Sequence, residues 1–236
     1  MDAAIPQLAS PATSIEQVSA HMQAIDAALP PSDGVACFNR MYLAVTHQIA
    51  ERVKQDLFED AAFVSRLDVV FANFYFDAVA WLAGPPSAGP PAAWQPLLEA
   101  RSTKGIEPIQ FALAGMNAHI NHDLPLAVVS TCGELSTAPS AGSHHRDYKL
   151  VNGLLDASEQ AVRQEFETKR ALALDQHLTG VATVVCNWSI NAARDVAWDT
   201  ATALWEFREH RVATGLLTTS LGRTVAVVSR QLLFSA

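Results

Sequence analysis

Apolar residues in this chain recur at alternating steps of three and four, and that spacing limits the fold more than any other feature. Ile15, Val18, Met22, Ile25 and Leu29 trace one stripe, opened by the capping-box pattern Ser14-Ile-Glu-Gln17 and closed by Pro30-Pro31. A second helical pattern covers residues 33 to 56. Asp60 is placed to cap a third, which runs through Phe63, Leu67, Phe74 and Ala78 to about Leu82. Glycine and proline gather in a few places, whereas a sandwich or barrel needs turns at short intervals. The expectation is an all-α, single-domain multi-helix bundle spanning 1–236, with residues 1–13 as a flexible N-terminus.

The stretch from Gly84 to Pro91, with four prolines and two glycines, is a loop that continues neither neighbour. A short helix around Trp94 to Ala100 and a long helical segment from about Glu107 to Cys132 follow. Pro125 removes a backbone donor and clashes with the turn before it, so this helix is expected to kink or stop near Asp123. After a Ser/Ala/Pro/Gly-rich loop from Glu134 to Ser143, helical patterns fill 145–157, 158–177, 180–213 and 215–233. No internal repeat is evident.

Several function classes are disfavoured. The formal charge is −8, and no run of Lys or Arg could neutralise successive phosphates, so nucleic acid is not an expected partner. Cys37, Cys132 and Cys186 are odd in number and set in apolar segments, the usage of buried thiols in a reducing compartment. The N-terminal residues lack a basic region followed by an apolar run, and no stretch of eighteen uncharged apolar residues occurs. A cytoplasmic protein without a membrane partner is expected. With no glycine-rich phosphate loop, nucleophile elbow or paired-cysteine motif, no nucleotide cofactor is expected.

The chemistry concentrates in residues 115–126, Gly-Met-Asn-Ala-His-Ile-Asn-His-Asp-Leu-Pro-Leu. At about 100° per residue, His119, His122 and Asp123 share an arc of about 100° and can converge on one point. Asn117 and Asn121 lie on nearly the opposite side, with apolar residues between. Two polar faces on one helix imply that protein surrounds it, and buried polar groups at this density need partners. His144, His145 and Asp147 follow a flexible connection and could fold back to complete a ligand set of His119, His122, Asp123, His144 and His145. Arg66, Asn73 and Asp77 could supply another wall, with Asp77 the favoured carboxylate.

A second stripe runs Val184, Trp188, Asn191, Asp195, Trp198, Thr202, Trp205 on one helical face. Its ends are aromatic and its middle is polar. Asn191, Asp195, Trp198 and Trp205, with Asn117 and Asn121, are therefore candidate substrate-binding residues. Ordinary helix packing, with Asp195 paired to a basic residue, is the competing reading.

Phe-Asn-Arg-Met-Tyr-Leu-Ala-Val-Thr from Phe38, Arg-Leu-Asp-Val-Val-Phe-Ala-Asn from Arg66, the segment from Gly115, and His-His-Arg-Asp-Tyr from His144 together resemble a bacterial family known as domain of unknown function 5995. The likeness runs from about residue 35 to 230 and implies one helical domain. It carries over no mechanism. His122-Asp123, with a histidine upstream, also resembles the ligand pair of the histidine-aspartate metal-dependent phosphohydrolases. That likeness implies a distant aspartate completing the site, for which Asp147, Asp195 and Asp199 are all available.

Three functions remain open. In a metal-dependent enzyme, a divalent Zn, Mn or Fe ion on the His/Asp set would act on a small organic or phosphorylated molecule by hydrolysis or oxidation. A metal-free enzyme would use His119 or His122 as general acid or base, oriented by Asp123 or Asp77, for isomerisation or cyclisation of an apolar substrate. In a binding or scaffold protein the polar cluster would only fix helix register. An apolar pocket reaching both histidines and Trp198 would favour an enzyme, and a solid core between the two stripes a scaffold.

Overall fold

The computed structural model describes residues 11–84, 89–153, 155 and 189–234. Among the described residues every regular element is helical. Helix α1 spans Ile15–Ala28, α2 Gly34–Lys54 and α3 Ala61–Ala80, with a 3-10 turn at Trp81–Ala83. Next come α4 (Gln95–Ala100), α5 (Pro108–Ala118), a π turn at His119–Asp123 and α6 (Leu124–Glu134). Helix α7 covers 144–153, α8 Ile190–Glu206 and α9 Arg211–Leu232.

Local chemistry sets these boundaries. Ser14 Oγ accepts from the Gln17 amide and opens α1, while the Gln17 side chain reaches back to the Thr13 amide. Asp33 caps α2 through Val35, and Asp60 caps α3 through Phe63. The stripe Ile15, Val18, Met22, Ile25 and Leu29 is buried throughout.

Two boundaries stand out. Near Asp123, where a kink or stop is expected, the α-helix gives way to a π turn closed from the Leu124 amide to the His119 carbonyl. The wider turn accommodates a residue without an N–H, and the helix continues for eleven residues in α6. The last two helices divide at 207–210 and not after 213, where turn bonds such as His210 N to Phe207 O replace helical ones. The calls on 158–177 and on the start of the 180–213 helix lie outside the described residues, as do Val184, Trp188 and Cys186. Of the N-terminus called flexible, residues 1–10 lie outside too. Ala12 is buried, exchanging backbone bonds with the Asn73 side chain.

The rod formed by α5, the π turn and α6 is the centre of the arrangement. Helices α2 and α9 pack on its α5 half, α3 and α8 on its α6 half, and α3, α8 and α9 all reach the π turn. One apolar cluster draws on every described α-helix. All residues from Ile109 to Ile120 are buried, so this segment lies in the core along its whole length. Helix α9 is long and apolar enough to cross a membrane by length and composition. Here Gly222, Val225, Ala226, Ser229 and Leu232 bury one face of it within the protein.

Candidate functional site

The π turn brings His119, His122 and Asp123 together around one carboxylate. His119 Nδ1 lies 3.1 Å from Asp123 Oδ2 and His122 Nδ1 lies 2.8 Å from Oδ1. Trp94 Nε1 donates to Oδ2 at 2.8 Å. Burial would raise the Asp123 carboxyl, but the two imidazole contacts outweigh it and hold the group below its ordinary value. An ionised Asp123 accepts from each Nδ1–H and so turns both Nε2 lone pairs outward. Burial lowers the His119 pKa against the opposing pull of Asp123, leaving a neutral imidazole with a basic Nε2.

The two histidines face different surroundings. His122 lies against α9, where a Cβ on Gly222 would sit 3.4 Å from its Nε2. His119 is enclosed by aromatic rings, with Phe71 stacked at 3.5 Å between centroids and Tyr42 edge-on at 4.4 Å. Its Nε2 is buried, makes no hydrogen bond, and belongs to the wall of a cavity of about 80 Å³. At one probe sphere per water, that is room for roughly five to eight water-sized groups.

The cavity lies among α2, α3, the rod, α7 and α8 and is almost wholly apolar: Phe38, Val45, Ile49, Leu67, Met116 and Leu124 are typical of its lining. Two further polar atoms in that lining, the Tyr42 hydroxyl and Asp68 Oδ2, are buried and make no hydrogen bond. Burial raises the Asp68 carboxyl from its ordinary 3.8 to about 7. The Tyr42 phenol is raised well above its ordinary value, first by burial and then by Asp68 and Asp123. A neutral phenol, a carboxyl close to half protonated at neutral pH and a neutral imidazole thus line one apolar pocket. Arg194 completes the polar lining from α8.

The other expected site residues lie elsewhere. His144 is buried against Phe63, with Nε2 at 3.2 Å from Asp60 and Nδ1 at 3.0 Å from the Ala138 carbonyl. His145 stacks on Trp198 at 4.9 Å. Asp147 accepts from the Glu59 and Asp60 amides and from Ser143, so the His144–Asp147 segment fastens the start of α3 instead of approaching His119. Asn117 donates to the Val225 carbonyl and to Ser229 Oγ, and Asn121 donates to Asn117. These amides secure α9.

Asp77 is exposed; burial raises its carboxyl and the charge of Asp123 adds to the rise. The α3 carboxylate on the cavity is Asp68, more than two turns earlier. On α8, Asp195 pairs with Lys149 at the surface and Trp205 carries Arg208 over its ring. Trp198 packs on Tyr148, which lines the cavity, while Trp198, Trp205, Asn191 and Asp195 do not. The pocket therefore reaches His119 but neither His122 nor the tryptophan stripe.

Tyr42, Asp68 and Arg194 escaped the sequence reading, although two carried a signal. Asp68 is a carboxylate within the apolar face Val64, Leu67, Phe71, Tyr75 of α3, and Tyr42 continues the buried face that Phe38 begins on α2.

The five expected metal ligands do not converge on one point, since His144 and His145 lie against Phe63 and Trp198. Both Asp123 oxygens are engaged by His119, His122 and Trp94, and Asp147 and Asp195 are committed elsewhere. Among the described residues no three His, Cys, Asp or Glu side chains are grouped to hold a metal.

No curated protein and no solved structure matches the chain. A family model does, over residues 15–234, nearly the whole sequence. The chain with this π-turn dyad and its cavity belongs to DUF5995, a family of unknown function.

Proposed function

We propose that the protein is an acid–base enzyme that isomerises a small, largely apolar carbonyl compound by moving a proton. The observation that carries this reading is the set of three buried, unbonded polar atoms on one apolar cavity: His119 Nε2, Tyr42 Oη and Asp68 Oδ2. A buried polar atom without a partner costs about 1–3 kcal/mol, and three in one place are accounted for by a ligand that meets them.

His119 takes a proton from the carbon beside the carbonyl. The C–H electrons move into a new C=C bond, and the carbonyl oxygen becomes an enolate. Tyr42 and protonated Asp68 donate to that oxygen, the arrangement by which a neutral carboxyl and a phenol stabilise an enolate in an apolar site. The imidazolium then returns the proton to another carbon of the conjugated system, so no external oxidant or base is consumed. Asp123 orients His119 and offsets its transient charge, as the aspartate does in an Asp–His pair. Trp94 holds Asp123 in turn.

The test is NMR detection of deuterium entering small ketones in D2O. Exchange by the wild type should fall by about 10²–10⁴-fold in His119→Gln, the usual worth of a positioned base. Exchange that survives that substitution overturns the role of His119. Ketones that bind in the cavity without exchanging overturn the reaction class.

A further inference from the structure

Arg194 gives the cavity a direction. It is 6 % exposed, and its guanidinium lies over the Tyr148 ring with 4.0 Å to the centroid. Nε donates to Asn152 Oδ1 at 2.7 Å and Nη2 to the Tyr148 carbonyl at 3.0 Å. The Tyr148 hydroxyl donates to the Arg194 carbonyl and closes the unit. All these acceptors are neutral, so the guanidinium is fixed in place with no carboxylate in contact among the described residues; Asp195, whose charge bears on it, is itself paired with Lys149. Among the described residues Arg194 has no ion-pair partner, and its side-chain hydrogen bonds there run from Nε and Nη2.

A buried guanidinium cannot shed its proton at ordinary pH and needs a counter-charge. Asp68 shares the cavity but forms no ion pair with Arg194 among the described residues. The charge and the three proton-handling groups are therefore separate parts of one lining. Arg194 is also the only cation in that lining among the described residues. One cation suits a monoanion, and a planar guanidinium matches a carboxylate better than a phosphate dianion, which needs several donors.

We infer that the ligand is a small apolar carboxylic acid, held with its carboxylate on Arg194 and its carbon chain extending along the apolar wall toward His119, Tyr42 and Asp68. The inference rests on the cavity being the substrate site and adds the class of substrate, a keto acid bound as its anion, its ketone and not its carboxylate meeting Tyr42 and Asp68.

Binding is measured by isothermal titration calorimetry at pH 7 for three acids, butanoate, hexanoate and phenylacetate, and for the corresponding amides. The acids should bind wild-type protein about tenfold or more tighter than the amides, the worth of one charge-assisted contact. In Arg194→Gln the difference should vanish, and in Arg194→Lys it should persist in part. If Arg194→Gln does not fold, the wild-type comparison of acid with amide decides alone. Equal affinity of acids and amides, or no binding of either, overturns the inference. His119→Gln should keep the preference for acids while losing exchange, so failure of the carboxylate site and failure of the acid–base reading give different results.

Discussion

The Phe71 ring lies flat on the His119 imidazole, 3.5 Å between centroids and 4° between planes. That contact and the Asp123 hydrogen bond fix the imidazole from two directions, one setting its plane and the other its tautomer. Phe71→Ala should cost about 3–5 kcal/mol in chemical denaturation, as large core truncations do. It should also raise the His119 pKa toward the ordinary 6.5, because burial is the first cause of its lowering. NMR titration of the His119 ring in the variant and the wild type measures that movement.

Asp68 should contribute stability in acid that is lost toward base, opposite in sign to the contributions of Asp123 and His119. Its folded-state value of about 7 lies above the ordinary 3.8, so the native state holds the proton more tightly than the unfolded chain does. The resulting stability is complete below 3.8, is lost as pH rises to 7, and changes no further above that. The full difference is roughly 4 kcal/mol at 1.36 kcal/mol per unit. Asp68→Asn should abolish this dependence and be more stable than wild type at pH 8, as measured by urea unfolding across pH.

On the proposed reaction, Asp68 and His119 set the pH profile. Proton transfer should fall on the alkaline side with a midpoint of about 7 as Asp68 ionises. On the acid side it should fall below the ordinary His119 value of 6.5 as the base is protonated. Asp68→Asn keeps a hydrogen-bond donor and should remove only the alkaline limb of kcat/KM. A wild-type profile flat from pH 6 to 9 would contradict the assignment of Asp68.

At Gly115 the rod closely meets α2, and a Cβ there would overlap the Phe38 ring. Phe38 packs edge-on against Tyr75, Trp94 and His119. Gly115→Ala should therefore cost about 1–3 kcal/mol by overpacking. It should also shift the His119 and Trp94 side-chain resonances, which a purely distant helix effect would leave in place.

Asn117 ties the rod to α9 at two acceptors, the Val225 carbonyl at 3.0 Å and Ser229 Oγ at 2.9 Å. Asn117→Ala removes both bonds and also the acceptor of the Asn121 amide, at about 1–3 kcal/mol. Proteolysis of the variant should begin within α9, while ketone binding in the cavity on the other side of the rod persists.

What could be read in advance follows from period and capping. The stripes of α1, α2 and α3 and the caps Ser14 and Asp60 are local patterns, and each is present where the spacing puts it. The convergence of His119, His122 and Asp123 was legible for the same reason, since three residues of one turn have fixed angular relations. The roles of His144, His145 and Asp147 were not legible. Which side of the bundle a loop returns to depends on tertiary packing, and here three hydrogen bonds to the start of α3 decide it. Asp195 and Trp205 share the periodicity of Trp198, but period says which residues share a face and not whether that face meets a cavity or solvent. Asp68 was the signal passed over, a charge on an apolar face whose meaning depends on what lies opposite.

The π turn before Pro125 sets the reactive histidine within an unbroken rod, held on both sides by long stretches of hydrogen-bonded backbone. Catalytic groups carried on surface loops can swing aside to admit a molecule; one built into the axis of a core helix cannot. On the proposed reading, admission and departure fall to the walls that face it, which α2, α3 and α8 help to form.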